Sequence, residues 1–304
     1  MNTLQKSWKI TWKNKILWVY GLILSVIAGF FIFIDQTSKG GGKTSSQLSV
    51  DSYQLQQKII SDFAEKYWAW IIVIMLVSLV IFGIIIWTSI ISKIGLIHET
   101  GVMAQKNSES QDSAVKIKRG WKKGREKFWQ VIGLDIMIAI AEFVVIFAVK
   151  TPLNMLYKNG ALTVAIPLTI FAVLILVPFI LMFLSIQILG ARKIILDDRK
   201  IFQAISESYD IFTMYWKKIV ATLLLFILAI TVSGFLYTIL CAILLLPVAV
   251  IALVMVILMG MGSGGLSIGL LIFAIPAIPF SIFFAMLTLV LQESVWSVLY
   301  QKIK

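Results

Sequence analysis

Cysteine and histidine are almost missing from this chain of 304 residues, which holds one of each. Cys241 alone closes no intrachain disulfide and builds no thiolate metal site of three or four ligands. In its apolar run it reads as a small core residue. His98 has no second imidazole and no His-Glu-x-x-His pattern around it, which argues against zinc hydrolysis and against haem held by paired imidazoles. Charge is scarce as well: 14% of residues are charged and 60% apolar, where a globular domain has about 25% and roughly 45–50%. A water-soluble domain is excluded. A phosphate-binding loop is missing too. Gly40-Gly41-Gly42-Lys43-Thr44 has the tail of that pattern, yet Thr37 stands where its first glycine belongs, so the run reads as a flexible linker. The glycine cluster from Gly260 to Gly269 contains no lysine and reads as a turn.

What is present is a series of long uncharged runs, with a mean hydropathy of +0.95 over the whole chain. Runs beyond about 18 residues mean that the solvent is a bilayer. The expectation is an all-α, polytopic transmembrane helical bundle, residues 1–304 forming one integral membrane domain. Its spans are read at 16–34, 67–92, 128–149, 161–191, 219–259 and 266–292. The first exceeds the apolar core of a signal peptide and is followed by Asp35-Gln36-Thr37 rather than a small-x-small site, so it is read as a retained span. Residues 35–66 are read as an extracytoplasmic loop, and 93–127 and 192–218 as cytoplasmic loops. The stretch from Ile219 to Gln292 carries no charge; it is divided at the glycine cluster into two crossings, with seven spans in all as the rival count. Pro167, Pro178 and Pro247 predict bends, because each removes a helix donor.

Orientation follows from charge. Most of the 27 Lys and Arg residues fall in the N-terminal stretch, in 93–127, in 192–218 and at the C-terminus. Basic loops stay cytoplasmic, so both termini are expected inside. Trp8, Trp12, Trp18, Trp121, Trp129, Trp216 and Trp296 then mark the inner interface, and Trp68 and Trp70 the outer one. Each outward span is preceded by an amphipathic stretch: Leu4, Trp8, Trp12 and Ile16; then Ile117, Trp121 and Phe128; then Ile201, Ile205, Tyr209, Phe212 and Trp216. Such stripes suit helices lying in the headgroup region, and hint at a unit of surface helix plus out-and-back spans used three times.

Two constellations are candidates for chemistry. Asp135 and Glu142 stand two helical turns apart in the third span, on nearly one face. A carboxylate at bilayer centre costs about 2.5–3.5 kcal/mol. Either the two form a proton, cation or substrate site, or they point into the bundle and bond Gln187 and neighbouring hydroxyls. With no lysine or arginine expected at that depth, protonated acids are favoured over ion pairs. The second constellation is the basic cluster Lys116, Lys118, Arg119, Lys122, Lys123, Arg125 and Lys127. It orients the third span and offers contacts to anionic lipid headgroups.

The passage from Ile194 to Phe212, with the acidic pair Asp197-Asp198 and the Ala204-x-x-x-Ser208 helix leading through Tyr215-Trp216-Lys217-Lys218 into a span, resembles a loose superfamily of six-span prokaryotic membrane proteins. That superfamily includes the membrane domain attached to some glycerophosphodiester phosphodiesterases. The resemblance implies a fold and a place in the cytoplasmic membrane. It does not imply a reaction, since one histidine cannot supply the metal site of the soluble phosphodiesterase domain. The expected function is a non-enzymatic membrane protein that binds or organises lipid or a protein partner, with no cofactor and no nucleic acid. The alternative is a small secondary transporter or ion-coupled permease built on Asp135 and Glu142, with proline-bent helices lining its path. An intramembrane enzyme would need a nucleophile with an activating base, and no such pair stands out.

Overall fold

The computed structural model describes residues 3–40, 50–105, 113–259 and 262–304. Every regular element among them is an α-helix: α1 (Thr3–Lys13), α2 (Ile16–Gly40), α3 (Val50–Gln105), α4 (Ser113–Lys158), α5 (Leu162–Leu196), α6 (Ile201–Met259) and α7 (Gly262–Ile303). Within the described residues five segments are long and apolar enough to cross a membrane: Lys66–Gln105, Val115–Lys158, Leu162–Leu196, Ile201–Ile243 and Ile278–Ile303. The described apolar part of α2, Ile16–Gly29, is shorter.

The helices outrun the apolar segments that define them. α3 has 56 residues, α4 46 and α6 59. Even α5, with 35, is roughly 50 Å long against a hydrocarbon core of about 30 Å. The surplus explains why segments expected as loops are largely helix. Residues 93–105 continue α3, 113–127 open α4, and 201–218 open α6, leaving 197–200 as the turn. Likewise 35–40 end α2 and 50–66 begin α3, while 41–49, including most of the expected glycine linker, lie outside the described residues. The expected turn at the glycine cluster differs too: Gly262, Gly264, Gly265 and Gly269 are in α7, and 260–261 are not described. Helix also continues through Pro167, Pro178 and Pro247.

Non-helical backbone inside a helix falls instead at Tyr67 (φ −118°, ψ 16°) and Tyr215 (φ −119°, ψ 21°). Both are the tyrosine of a Tyr-Trp pair, and each ring lies beneath a lysine ammonium: Lys66 at 5.5 Å and Lys218 at 5.3 Å from the ring centroids. Tyr, Trp and Lys together are the chemistry of a membrane–water boundary, so each kink divides a helix where its surroundings change. Of the three expected surface helices, α1 is separate and the start of α6 is set off by the Tyr215 kink. The start of α4 runs straight into its span.

Sequential helices pack side by side from α2 to α7, and α7 returns to α2, closing a ring. Packing is concentrated at one end, here called the collar. Three clusters of buried residues lie there: Ile94, Val131, Leu134 and Ile194 in the first, Leu17, Tyr20, Leu96 and Val298 in the second, Leu189, Ile219, Trp296 and Tyr300 in the third. α3 shows the change most plainly. From Ile91 to Ala104 it is almost wholly buried, yet from Trp68 to Ile84 it is exposed all round. The exposed part includes the most apolar helix window among the described residues, of mean hydropathy 3.1. Apolar outside and polar inside is the pattern of a helix solvated by lipid.

Small residues let the collar close. α4 buries Lys116, Gly120, Gly124 and Phe128 in one stripe of four-residue steps. A Cβ on Gly124 would meet the backbone oxygen of Ile91 at 2.8 Å, and one on Gly120 would strike the Tyr20 hydroxyl. That hydroxyl donates instead to the carbonyl of Ile117 at 2.9 Å.

Candidate functional site

The collar is polar within as well as apolar. Glu99, fully buried on α3, accepts two bonds from the Arg119 guanidinium, at 3.0 and 2.8 Å, and lies 3.2 Å from His98 Nδ1. Arg192, buried on α5, donates to Glu293 of α7 at 2.6 Å and to the carbonyl of Ile188 at 2.8 Å. Lys193 donates to Glu207 at 2.6 Å. Thr100 and Ser297 share a bond of 2.9 Å between α3 and α7. Glu99, Arg192 and Lys193 each have a partner of opposite sign, the condition under which burial is tolerated.

The acidic pair between α5 and α6 is a hub. Asp197 accepts from the Tyr300 hydroxyl at 2.6 Å and from Lys304 at 2.5 Å, both on the C-terminal segment. Asp198 accepts from Lys123 and Lys127 of α4, each at 2.8 Å. Hydrogen bonds from Lys123 and then Lys127 draw the Asp198 carboxyl down from the ordinary 3.8 to about 2. Asp198 also has φ 55°, a left-handed conformation that aspartate tolerates better than most residues. Next along, Ala204 and Ser208 are buried, with the Ser208 hydroxyl beside Gly190. The Ala-x-x-x-Ser spacing is thus a smooth face on which α6 meets α5.

Asp135, Glu142 and Gln187 do not form one site. Gln187 donates to Asp135 at 2.8 Å, as expected, and Lys93 lies 3.7 Å from the same carboxylate. This corrects the reading that no cation shares its depth: Lys93 follows directly on the end of the second span, and its long side chain reaches back to α4. Asp135 also lies one residue from Leu134, which packs against Gly190, and two from Gly133, beside Ile201. It therefore stands beside the packing of the collar, within the apolar segment Val115–Lys158. Glu142, two turns on, is half-buried, and no hydrogen bond or ion pair joins it to another described residue.

The basic cluster divides. Lys116 is buried, Arg119 is bound to Glu99, and Lys123 and Lys127 are bound to Asp198. Lys118, Lys122 and Arg125 are exposed, and their spacing puts them in one row on α4. Lys122 has Glu126 at 4.0 Å. Below the row Trp129 is exposed, and Trp87 and Trp121 meet edge to face at 6.4 Å.

The acidic partners that organise this layer (Glu99, Asp197, Asp198, Glu207 and Glu293) were not singled out as sites by sequence reasoning. The available signal was position: Glu99, Asp197, Asp198 and Glu207 sit within the stretches richest in Lys and Arg, and Glu293 is the first charge after the uncharged run. No protein-family model, no curated protein and no solved structure matches this chain.

Proposed function

We propose that this protein is a non-enzymatic, multi-pass component of a prokaryotic cytoplasmic membrane, and that its collar gathers anionic lipid headgroups. The observation that carries this reading is the sorting of the basic cluster. Lys118, Lys122 and Arg125 face outward in a row above exposed tryptophan, while Arg119, Lys123 and Lys127 are neutralised within the fold. Cations spent on internal carboxylates serve the fold; the outward row serves the surface. Six crossings with both termini inside fit this placement. Lys302 donates to Thr3 at 2.8 Å, bringing the two ends of the chain together, as an even number of crossings requires. α6 is continuous as far as Met259, which favours six over seven.

The test is reconstitution into bilayers of phosphatidylcholine with and without phosphatidylglycerol, reading the lipid enriched around the protein. At about 1 kcal/mol per basic residue near the surface, replacing Lys118, Lys122 or Arg125 by alanine lowers the anionic preference by roughly fivefold each. Equal association with both lipids overturns the reading. Transport draws less support, because Asp135 is held by Gln187 and Lys93, and Glu142 does not join it.

A further inference from the structure

A groove of about 460 Å³ runs between α3 and α4 below the outward basic row, lined by Gly83, Ile86, Trp87, Arg125, Phe128 and Trp129. Its size is in the range of small-molecule sites, roughly 300–1,000 Å³. Its lining joins two chemistries. Gly83, Ile86, Phe128 and the two indoles form an apolar trough on the lipid-exposed side of the helices. Arg125 supplies one guanidinium, and no hydrogen bond or ion pair ties it to another described residue. A second groove, of about 380 Å³ between α5 and α6, is lined by Pro178, Phe179, Leu181, Met182, Phe212, Trp216 and Val220. It has no charge in its lining and serves as an internal comparison.

From this we infer that the α3/α4 groove is a site for one anionic glycerophospholipid, with an acyl chain along Gly83, Ile86 and Phe128 and its phosphate on Arg125. Three observations select this occupant. The trough is open to the side on which the most apolar part of α3 is exposed, so what enters it comes from the bilayer. Guanidinium binds phosphate through two parallel bonds, a fork that Arg125 offers by itself, since Lys122 one turn earlier has the Glu126 carboxylate at 4.0 Å. Trp87 and Trp129 flank the point where chain gives way to headgroup, the level at which indoles settle in membranes. A free phosphate would use Arg125 and leave the trough empty; a neutral lipid would use the trough and leave Arg125 unmatched.

This inference rests on the anionic-lipid reading above but goes further, since a row of exposed cations needs no groove and holds no counted ligand. Gly83 separates the two. A Cβ built there meets nothing within 4 Å, so Gly83→Leu fills the trough without straining the fold. Gly234, equally open, is the control.

The experiment is purification of the full chain in mild detergent with phosphatidylglycerol, phosphatidylcholine or glycerol phosphate, counting retained lipid by native mass spectrometry. The expected result is one phosphatidylglycerol per chain, lowered at least tenfold by Gly83→Leu and by Arg125→Ala, partly restored in Arg125→Lys, and unchanged in Gly234→Leu. Glycerol phosphate is expected not to compete. Retention by Gly83→Leu equal to the parent, or displacement by glycerol phosphate, overturns the groove while leaving the bilayer preference intact. Equal retention of phosphatidylcholine removes the anionic reading itself.

Discussion

Asp198 shows how much one residue carries in this fold. It ends one helix in a left-handed conformation, precedes the next and binds two lysines of a third. Its carboxyl is acidified in the folded state to about 2. The stabilisation is therefore full above the ordinary value of 3.8 and is lost as pH falls from there through about 2. Because the carboxylate is 61% exposed, the effect is under about 1 kcal/mol. In Asp198→Asn, which keeps a side chain suited to the turn, thermal stability in detergent is expected to lose this component of its slope between pH 4 and 2. A variant as acid-sensitive as the parent in that window contradicts the two-lysine clamp. Gly124 is a second such point. With the Ile91 carbonyl 2.8 Å from where its Cβ would stand, Gly124→Ala forces α3 and α4 apart, an overpacking cost of about 1–3 kcal/mol that outweighs a helix-propensity gain of about 1 kcal/mol. A lowered unfolding midpoint is expected, whereas Gly83→Ala, facing open space, leaves it unchanged or raised.

At the scale of elements, what the sequence disclosed and what it concealed have different physical causes. The five long apolar helices of the described residues are readable because lipid imposes a one-dimensional rule, a length of uncharged chain. The helical extensions were concealed because 93–105 and 113–127 are rich in charge, and charge was taken as the mark of a loop. In the structure the charges at Glu99 and Arg119 satisfy each other inside a helix pair. The basic stretch of α4 was correctly seen as amphipathic, but the buried stripe is Lys116, Gly120, Gly124 and Phe128 rather than Ile117, Trp121 and Phe128. Glycine was not counted as a packing residue, though it governs the approach of two helices. Asp135 and Gln187 were paired correctly. Lys93 was missed because depth was judged from where the span ended, without the reach of a lysine stem. Helix continues through Pro167, Pro178 and Pro247, and non-helical backbone lies at Tyr67 and Tyr215, where a polar segment meets an apolar one.

For the whole molecule, the arrangement is a ring of helices joined firmly at a polar collar and solvated by lipid beyond it. The proposed placement of that collar on the cytoplasmic side has a direct check. A reporter active only outside the cytoplasm, fused to either terminus, is expected to be silent, and one active only inside is expected to signal from both ends; activity outside from either fusion inverts the arrangement.

α7 is the last of these helices to leave the ribosome, yet it touches α1, α2, α3, α5 and α6, and its Glu293 meets the buried guanidinium of Arg192. Until it arrives, the ring is open and Arg192 lacks the carboxylate that neutralises it. A chain stopped before α7 thus lacks both the closure of the ring and the carboxylate that meets Arg192, and is expected to be cleared faster than the full chain in a pulse-chase.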